Sequence, residues 1–147
     1  MLTTTAPAVP HIKHGRARAL SAAGGALAAA LAWIVEVPLL GIHLNVRFGP
    51  GHMQTDAGHI QTITIGQVIG VAVAASLLGW LLLALLERRT PRARILWTTV
   101  ALAALAASLA LPLATATTNS AVAGLIVMHL TVGAVVIPAL ARTARTR

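Results

Sequence analysis

Four long apolar runs alternate with short polar segments along this chain. An α-helix needs about 20 residues to cross the roughly 30 Å of hydrocarbon in a bilayer. The runs therefore predict an all-α membrane protein, a bundle of four transmembrane helices at about residues 20–37, 65–86, 95–113 and 121–141. Residues 1–19 are predicted to be a flexible basic tail and residues 142–147 a second basic tail, so the transmembrane domain covers residues 20–141.

The segment between the first two runs, residues 38–64, has a different pattern. Residues 42–48 alternate strictly between apolar and polar, which is the period of an extended strand with one sheltered face. A shorter alternation occurs at residues 62–65, and turn-forming glycine, proline and aspartate residues lie between the two. The pattern fits a small β-hairpin on the outer membrane surface and equally an irregular interfacial loop.

Composition supports a membrane location and excludes thiol chemistry. Of the 147 residues, 57% are hydrophobic and only 10% are charged, and the mean hydropathy is +0.84. Charged residues make up about 25% of an ordinary soluble domain. The chain has no cysteine, so disulfides and thiolate metal sites are excluded.

The basic residues lie almost entirely on one side of the predicted membrane. In this threading ten of the eleven Lys and Arg residues fall on the side of the termini, and Arg47 alone falls on the other. The positive-inside rule then predicts cytoplasmic termini and an outward segment 38–64. The abundance of Ala and Arg is typical of high-GC bacterial genomes. We therefore expect a multi-pass protein of a bacterial plasma membrane. The net charge of +8 reflects topology, and no nucleic-acid partner is expected.

Each predicted helix carries one polar side chain in the outer half of the membrane: Glu36, Gln67, Ser108 and His129. An ionisable group at membrane depth is costly. We therefore expect Glu36 and His129 to pair with each other, with Gln67 or Ser108, or with water in an outward-open cavity. The plainer interpretation is that these side chains form interhelical hydrogen bonds that fix the packing.

A second polar group lies in the outer segment and consists of His43, His52, Asp56 and His59. Imidazole and carboxylate ligands suit zinc or another divalent transition metal. The spacing of the last three would align them on a helix, but the glycines around them disfavour one. They are therefore weak metal candidates, and solvated loop residues are the commoner case. No cofactor is predicted, and no hydrolase, phosphate-loop or dinucleotide motif is present.

Three stretches carry a resemblance to a known family: EVPLLGIHLNVRFGPG at 36–51, ERRTPRARILWT at 87–98 and MHLTVGAVVIPAL at 128–140. Together they resemble a family of uncharacterised small four-helix integral membrane proteins of high-GC Gram-positive bacteria. The resemblance implies the four-span layout and no activity. Small multidrug exporters also carry a carboxylate in their first helix, but the long outer segment and one-sided basic charge of this chain depart from that pattern.

Three functions are compatible with the sequence. The leading hypothesis is a non-enzymatic bundle that presents its outward segment to lipid, to a protein partner or to a second copy of itself. The alternative is a small proton-linked transporter in which Glu36 titrates and His129 and Gln67 line the pathway. A membrane-embedded enzyme or metal site ranks third. A water-filled cavity touching Glu36 and His129 would favour the transporter or enzyme, whereas a dry bundle would favour partner binding.

Overall fold

The computed structural model describes residues 12–48 and 59–144. Its elements in chain order are α1 (Ile12–Ile34), a π-helical turn (Val35–Leu39), β1 (Asn45–Phe48), β2 (His59–Thr62), α2 (Ile65–Arg89), α3 (Ala93–Ser108), α4 (Ala110–Thr115) and α5 (Asn119–Thr143). With α3 and α4 counted as one span, four helices are long and apolar enough to cross a membrane. The predicted four-helix membrane bundle is confirmed.

The first helix begins earlier than its apolar pattern indicates. It starts at Ile12 rather than at residue 20, so the later part of the predicted flexible tail is helical. The physical reason is a tertiary contact: Arg18 is buried and bonds to Glu87 of α2 and to Thr143 of α5. Apolar periodicity cannot report a turn that is held by polar contacts.

The other spans also differ from prediction at their ends. The third span breaks after Ser108 and continues as α4, and the second and fourth helices run on to Arg89 and Thr143. Basic side chains in a last helical turn complement the partial negative charge of that helix end, which favours such extensions. The end of the bundle that carries these arginines is called the basic end below, and the opposite end, where β1 and β2 lie, is called the hairpin end.

α1 is the central helix and packs against both α2 and α5. Its buried positions recur every three, four or seven residues: Arg18, Ser21, Gly25, Ala29 and Glu36. Gly25 brings the backbones close together, because a Cβ there would lie 2.5 Å from a Val136 methyl carbon and 3.1 Å from Ser76 Oγ. Small residues at such interfaces allow the dispersion contacts that drive helix association in lipid.

Two apolar clusters form the interior. The cluster at the hairpin end consists of Ala29, Leu44, Val46, Val68, Ala72, Leu125 and Met128, and the cluster near the basic end consists of Leu83, Trp97, Val136, Leu140 and Ala141. Large apolar side chains also cover the outside of the helices, as at Leu78, which is 66% exposed. An apolar exterior around a packed interior is what a lipid environment requires.

Of the two alternatives for the outer segment, the β-hairpin is the one that forms, with its second strand at His59–Thr62 and not at the expected residues 62–65. β1 and β2 pair antiparallel, with Asn45 opposite Thr62. The alternation of the first strand segment is realised, because Leu44 and Val46 are buried while His43 and Arg47 are exposed. The hairpin therefore lies with one face on the bundle.

The link between α4 and α5 joins the hairpin along its other edge. Val46 forms an isolated antiparallel bridge with Ala116, and the Thr117 N–H donates to the Asn45 carbonyl oxygen at 3.1 Å. These backbone contacts hold β1 between β2 and the start of the last span. The hairpin is thus part of the folded bundle and closes its end.

Candidate functional site

Glu36 lies in the π-helical turn that ends the first span. Pro38 has no N–H to donate to the preceding turn, and the Leu40 N–H instead reaches back five residues to the Val35 carbonyl oxygen at 3.0 Å. Gly41 then has a φ of 65°, a left-handed conformation that favours glycine. Val35 is 48% exposed, but Glu36 beside it is turned inward and only 4% exposed. Such π-turns occur frequently at functional sites.

The carboxyl group of Glu36 has no polar partner in the part of the chain that the structure describes. Both of its oxygens are buried and neither accepts or donates a hydrogen bond. Gly124 of α5 forms the surface beneath it: a Cβ at Gly124 would lie 3.0 Å from Glu36 Oε2 and 3.0 Å from Leu44 Cδ2. The carboxyl group and the Leu44 side chain therefore lie side by side on the same glycine.

Apolar residues make up the surroundings of this carboxyl group. The hairpin-end cluster, which includes Leu44 and Met128, also packs against Val37. Trp33, one turn before Glu36, donates its Nε1 hydrogen to the Ile63 carbonyl oxygen at 3.2 Å. That bond ties α1 to the segment leading into α2, and it uses the indole hydrogen, so the nearest aromatic donor on α1 is occupied elsewhere.

His129, the expected partner of Glu36, is engaged with its own helix. Its Nδ1 lies 2.6 Å from the Leu125 carbonyl oxygen, to which it donates. It follows Gly124, the residue beneath the carboxyl group, by five positions, which corresponds to about 7.5 Å along the helix axis and a different face. The two ionisable groups are not hydrogen-bonded to each other.

Gln67 and Ser108 are also engaged locally. Gln67 is exposed and forms a capping box with Thr64, whose N–H donates to Gln67 Oε1 at 2.9 Å. Ser108 Oγ donates to the Leu105 carbonyl oxygen of its own helix at 2.7 Å. The four polar side chains singled out from the sequence therefore do not form one hydrogen-bonded cluster. Glu36 alone is left without a partner.

The outer metal candidates fall mostly outside the described residues. His52, Asp56 and the side chain of His59 lie there, and His43 is exposed on the hairpin. Within residues 12–48 and 59–144, no group of three or more His, Cys, Asp or Glu side chains is arranged to hold a metal ion.

The contact that sequence reasoning missed lies at the basic end. Arg18 is 6% exposed, forms an ion pair with Glu87, and donates from Nε to Thr143 Oγ1 at 3.2 Å. It joins α1, α2 and α5. The sequence contains a signal for this contact, since Arg18 precedes Ser21, Gly25 and Ala29 at helical spacing, but the basic residues around Arg18 predict a tail instead.

Comparison with known protein families identifies a similarity that covers most of the chain. The model of a family of unknown function, DUF6069, matches residues 11–146. No curated protein and no solved structure matches the chain. The matched range runs through every helix and strand described above, so the similarity covers the whole bundle.

Proposed function

Since this chain belongs to DUF6069, a family of unknown function, membership assigns it no activity, and we propose that it is a small proton-linked membrane transporter in which Glu36 binds the proton. The observation that supports this most directly is the pair of buried carboxyl oxygens without any hydrogen-bond partner. A buried unsatisfied polar group is rare in native structures and requires an explanation. An ionisable residue inside a membrane bundle is by default a functional-site hypothesis.

The chemistry around Glu36 favours a proton over a metal ion as the bound species. An ionised carboxylate among apolar side chains would be very costly unless it were paired. Calcium takes six to eight oxygen ligands and zinc about four ligands, whereas a proton needs one oxygen. The described surroundings supply a single carboxyl group, which is enough to bind a proton and too few ligands for either metal ion.

The proposed pathway differs from the one expected from the sequence. Gln67 caps α2 and is left out of it. His129 is the next titratable side chain along α5 from Gly124, and we assign it the role of a second proton acceptor in a state where its bond to Leu125 is broken. In the closed structure, Glu36 is the one residue that the proposed proton pathway requires.

The proposed orientation places the basic end in the cytoplasm and the hairpin end outside, in a bacterial plasma membrane. Arg16, Arg88, Arg89, Arg92, Arg94 and Arg142 are exposed at the basic end. Arg47 is the exposed basic residue of the described hairpin. Basic residues near the ends of transmembrane helices favour the cytoplasmic side.

The test uses dicyclohexylcarbodiimide, an apolar reagent that modifies protonated carboxyl groups, on the full-length protein in lipid nanodiscs. Mass spectrometry should find the adduct on Glu36, with a yield that falls as the pH rises. Glu87 is the matched control, because it is ion-paired with Arg18 and should react far less. No adduct on Glu36 at any pH, or equal modification of Glu87, would contradict the proposal.

A link to transport is tested in proteoliposomes that contain a pH-sensitive dye. Wild-type protein should speed the decay of an imposed pH gradient, and Glu36→Gln should abolish this effect while keeping the length and polarity of the side chain. Decay that is equally fast with Glu36→Gln would exclude Glu36 as the proton carrier.

A second candidate function, partner binding by a closed bundle, is favoured by the closed and apolar surroundings of Glu36 and by the lack of a bond between Glu36 and His129, and a further observation supports it. Gly66, Gly70 and Ala74 lie one turn apart on α2 and are all exposed, and no atom lies within 4 Å of a Cβ built at either glycine. Such a ridge suits close packing of a second transmembrane helix, and a homo-oligomer is the proposed form. Gly70→Leu should then convert an oligomer in native mass spectrometry to a monomer, and a wild-type monomer would exclude it.

A further inference from the structure

We infer that Leu44 is the gate of the Glu36 site, and that the proton reaches the carboxyl group from the hairpin end when this side chain lifts away from Gly124. The inference rests on the proposed function and adds its route of access. Removal of the Leu44 side chain should open the site without altering the carboxyl group itself.

The contact geometry identifies Leu44. Its side chain is fully buried, with 0% exposure, and its Cδ2 lies as close to the Cβ position of Gly124 as Glu36 Oε2 does, at 3.0 Å. Leu44 immediately precedes β1, and its neighbour His43 is exposed. One buried side chain therefore links the surface of the carboxyl site to an exposed stretch of the chain.

Access from the basic end is blocked by the packed core. Ala29, Ala72 and Met128 are buried in the cluster next to the carboxyl group, and beyond them Gly25 packs tightly against Ser76. Close-packed interiors contain few voids larger than a water molecule. Among the described residues the hairpin end offers the shorter route, since Leu44, at the start of the hairpin, lies beside the carboxyl group on Gly124.

The connections of Leu44 allow it to move with the hairpin. Its carbonyl oxygen accepts from the Ile63 N–H at 2.9 Å, so its backbone belongs to the paired strands, while its side chain contacts α5 without any polar bond. The hairpin is held to the rest of the bundle by the buried side chains of Leu44 and Val46, by the bridge of Val46 with Ala116 and by the bonds from Thr117 to the Asn45 carbonyl oxygen. A rotation of the Leu44 side chain alone breaks none of these polar contacts.

The elements around the site carry few charged or titratable groups, and none of those described closes the site as Leu44 does. Those described on the hairpin are His43 and Arg47, both exposed, and the one on α5 in the hairpin half is His129, bonded to Leu125. α2 carries none in its first six turns. None of these groups bonds to the Glu36 carboxyl oxygens.

The test compares the rate at which a water-soluble carbodiimide modifies Glu36 in the full-length wild-type protein and in three variants of it. Leu44→Ala should raise this rate about tenfold or more over wild type, because truncating a buried leucine weakens packing and leaves a cavity. Leu140→Ala is the matched control: it removes the same atoms from a leucine that is 1% exposed at the basic end, and the rate should stay at the wild-type value. Leu44→Met, which conserves side-chain volume, should also stay near wild type.

The outcomes separate the gate from the proposed function. Wild-type labelling by dicyclohexylcarbodiimide with no acceleration in Leu44→Ala would overturn the gate and leave proton binding standing. Equal acceleration in Leu140→Ala would also overturn it, since any loosening of the bundle would then expose the carboxyl group. If dicyclohexylcarbodiimide does not label Glu36 in the wild-type protein, both the proposed function and the gate are overturned.

Discussion

Replacing Glu36 by methionine is expected to stabilise the protein. Two buried carboxyl oxygens lack partners, and leaving a buried polar group unsatisfied costs about 1–3 kcal/mol. Methionine is flexible, reaches a similar length and fills irregular gaps, and a swap that conserves volume costs less than about 1.5 kcal/mol. The net gain should be about 1–2 kcal/mol, which raises the thermal midpoint in detergent by a few degrees.

Glu87→Met is the matched control and should change stability in the opposite direction. It leaves Arg18 without its carboxylate, although both side chains of this pair are largely buried, at 7% and 12% exposure. Removing one member of a buried ion pair costs about 3–5 kcal/mol. Differential scanning fluorimetry of both variants in one detergent measures the two thermal midpoints. A fall in the midpoint of Glu36→Met comparable to that of Glu87→Met would refute the reasoning, because it would show that the Glu36 carboxyl group has a stabilising partner.

Three further variants, one of them with a matched control, test the contacts around the site. Gly124→Ala should lower the thermal midpoint, because its methyl carbon would lie 3.0 Å from two side chains and such overpacking costs about 1–3 kcal/mol. Gly70→Ala is the control: its methyl carbon meets no atom within 4 Å, so the thermal midpoint should not fall. Trp33→Phe removes the 3.2 Å hydrogen bond to Ile63 and should cost about 1 kcal/mol in denaturant unfolding. Val46→Asp places a charge at a position only 3% exposed and should speed hydrogen exchange of the β1 amides; unchanged protection would show that the strand is held without this side chain.

The membrane spans and the hairpin could be predicted because each follows from a local regularity. A 20-residue apolar run has few ways to satisfy its backbone in lipid other than as a helix, and the alternation around Leu44 and Val46 fixes which side of the strand is buried. The helix ends were less accessible to prediction. The start at Ile12 depends on bonds from Arg18 to residues distant in sequence, which periodicity does not contain.

The polar residues at membrane depth show the limit of the sequence argument. Depth could be estimated from helical rise, but the direction of each side chain and its local hydrogen-bond options could not. His129 and Ser108 bond to carbonyl oxygens of their own helices, an alternative that every polar helical residue possesses. Glu36, in a widened turn over a glycine, has no such carbonyl to donate to in the structure. The sequence therefore predicts a pocket shared by four polar side chains, whereas in the structure only the Glu36 carboxyl group, of these four described side chains, is buried without a hydrogen bond.

The position of Gly124 on the last helix has a consequence for how the protein is made. α1 leaves the ribosome before α5, yet the glycine on which the Glu36 carboxyl group lies belongs to α5. Until α5 inserts, Glu36 must meet water, translocon or lipid headgroups rather than its final surroundings. A nascent chain arrested before α5 should thus carry a reactive, hydrated acid, and the insertion of α5 should remove that water.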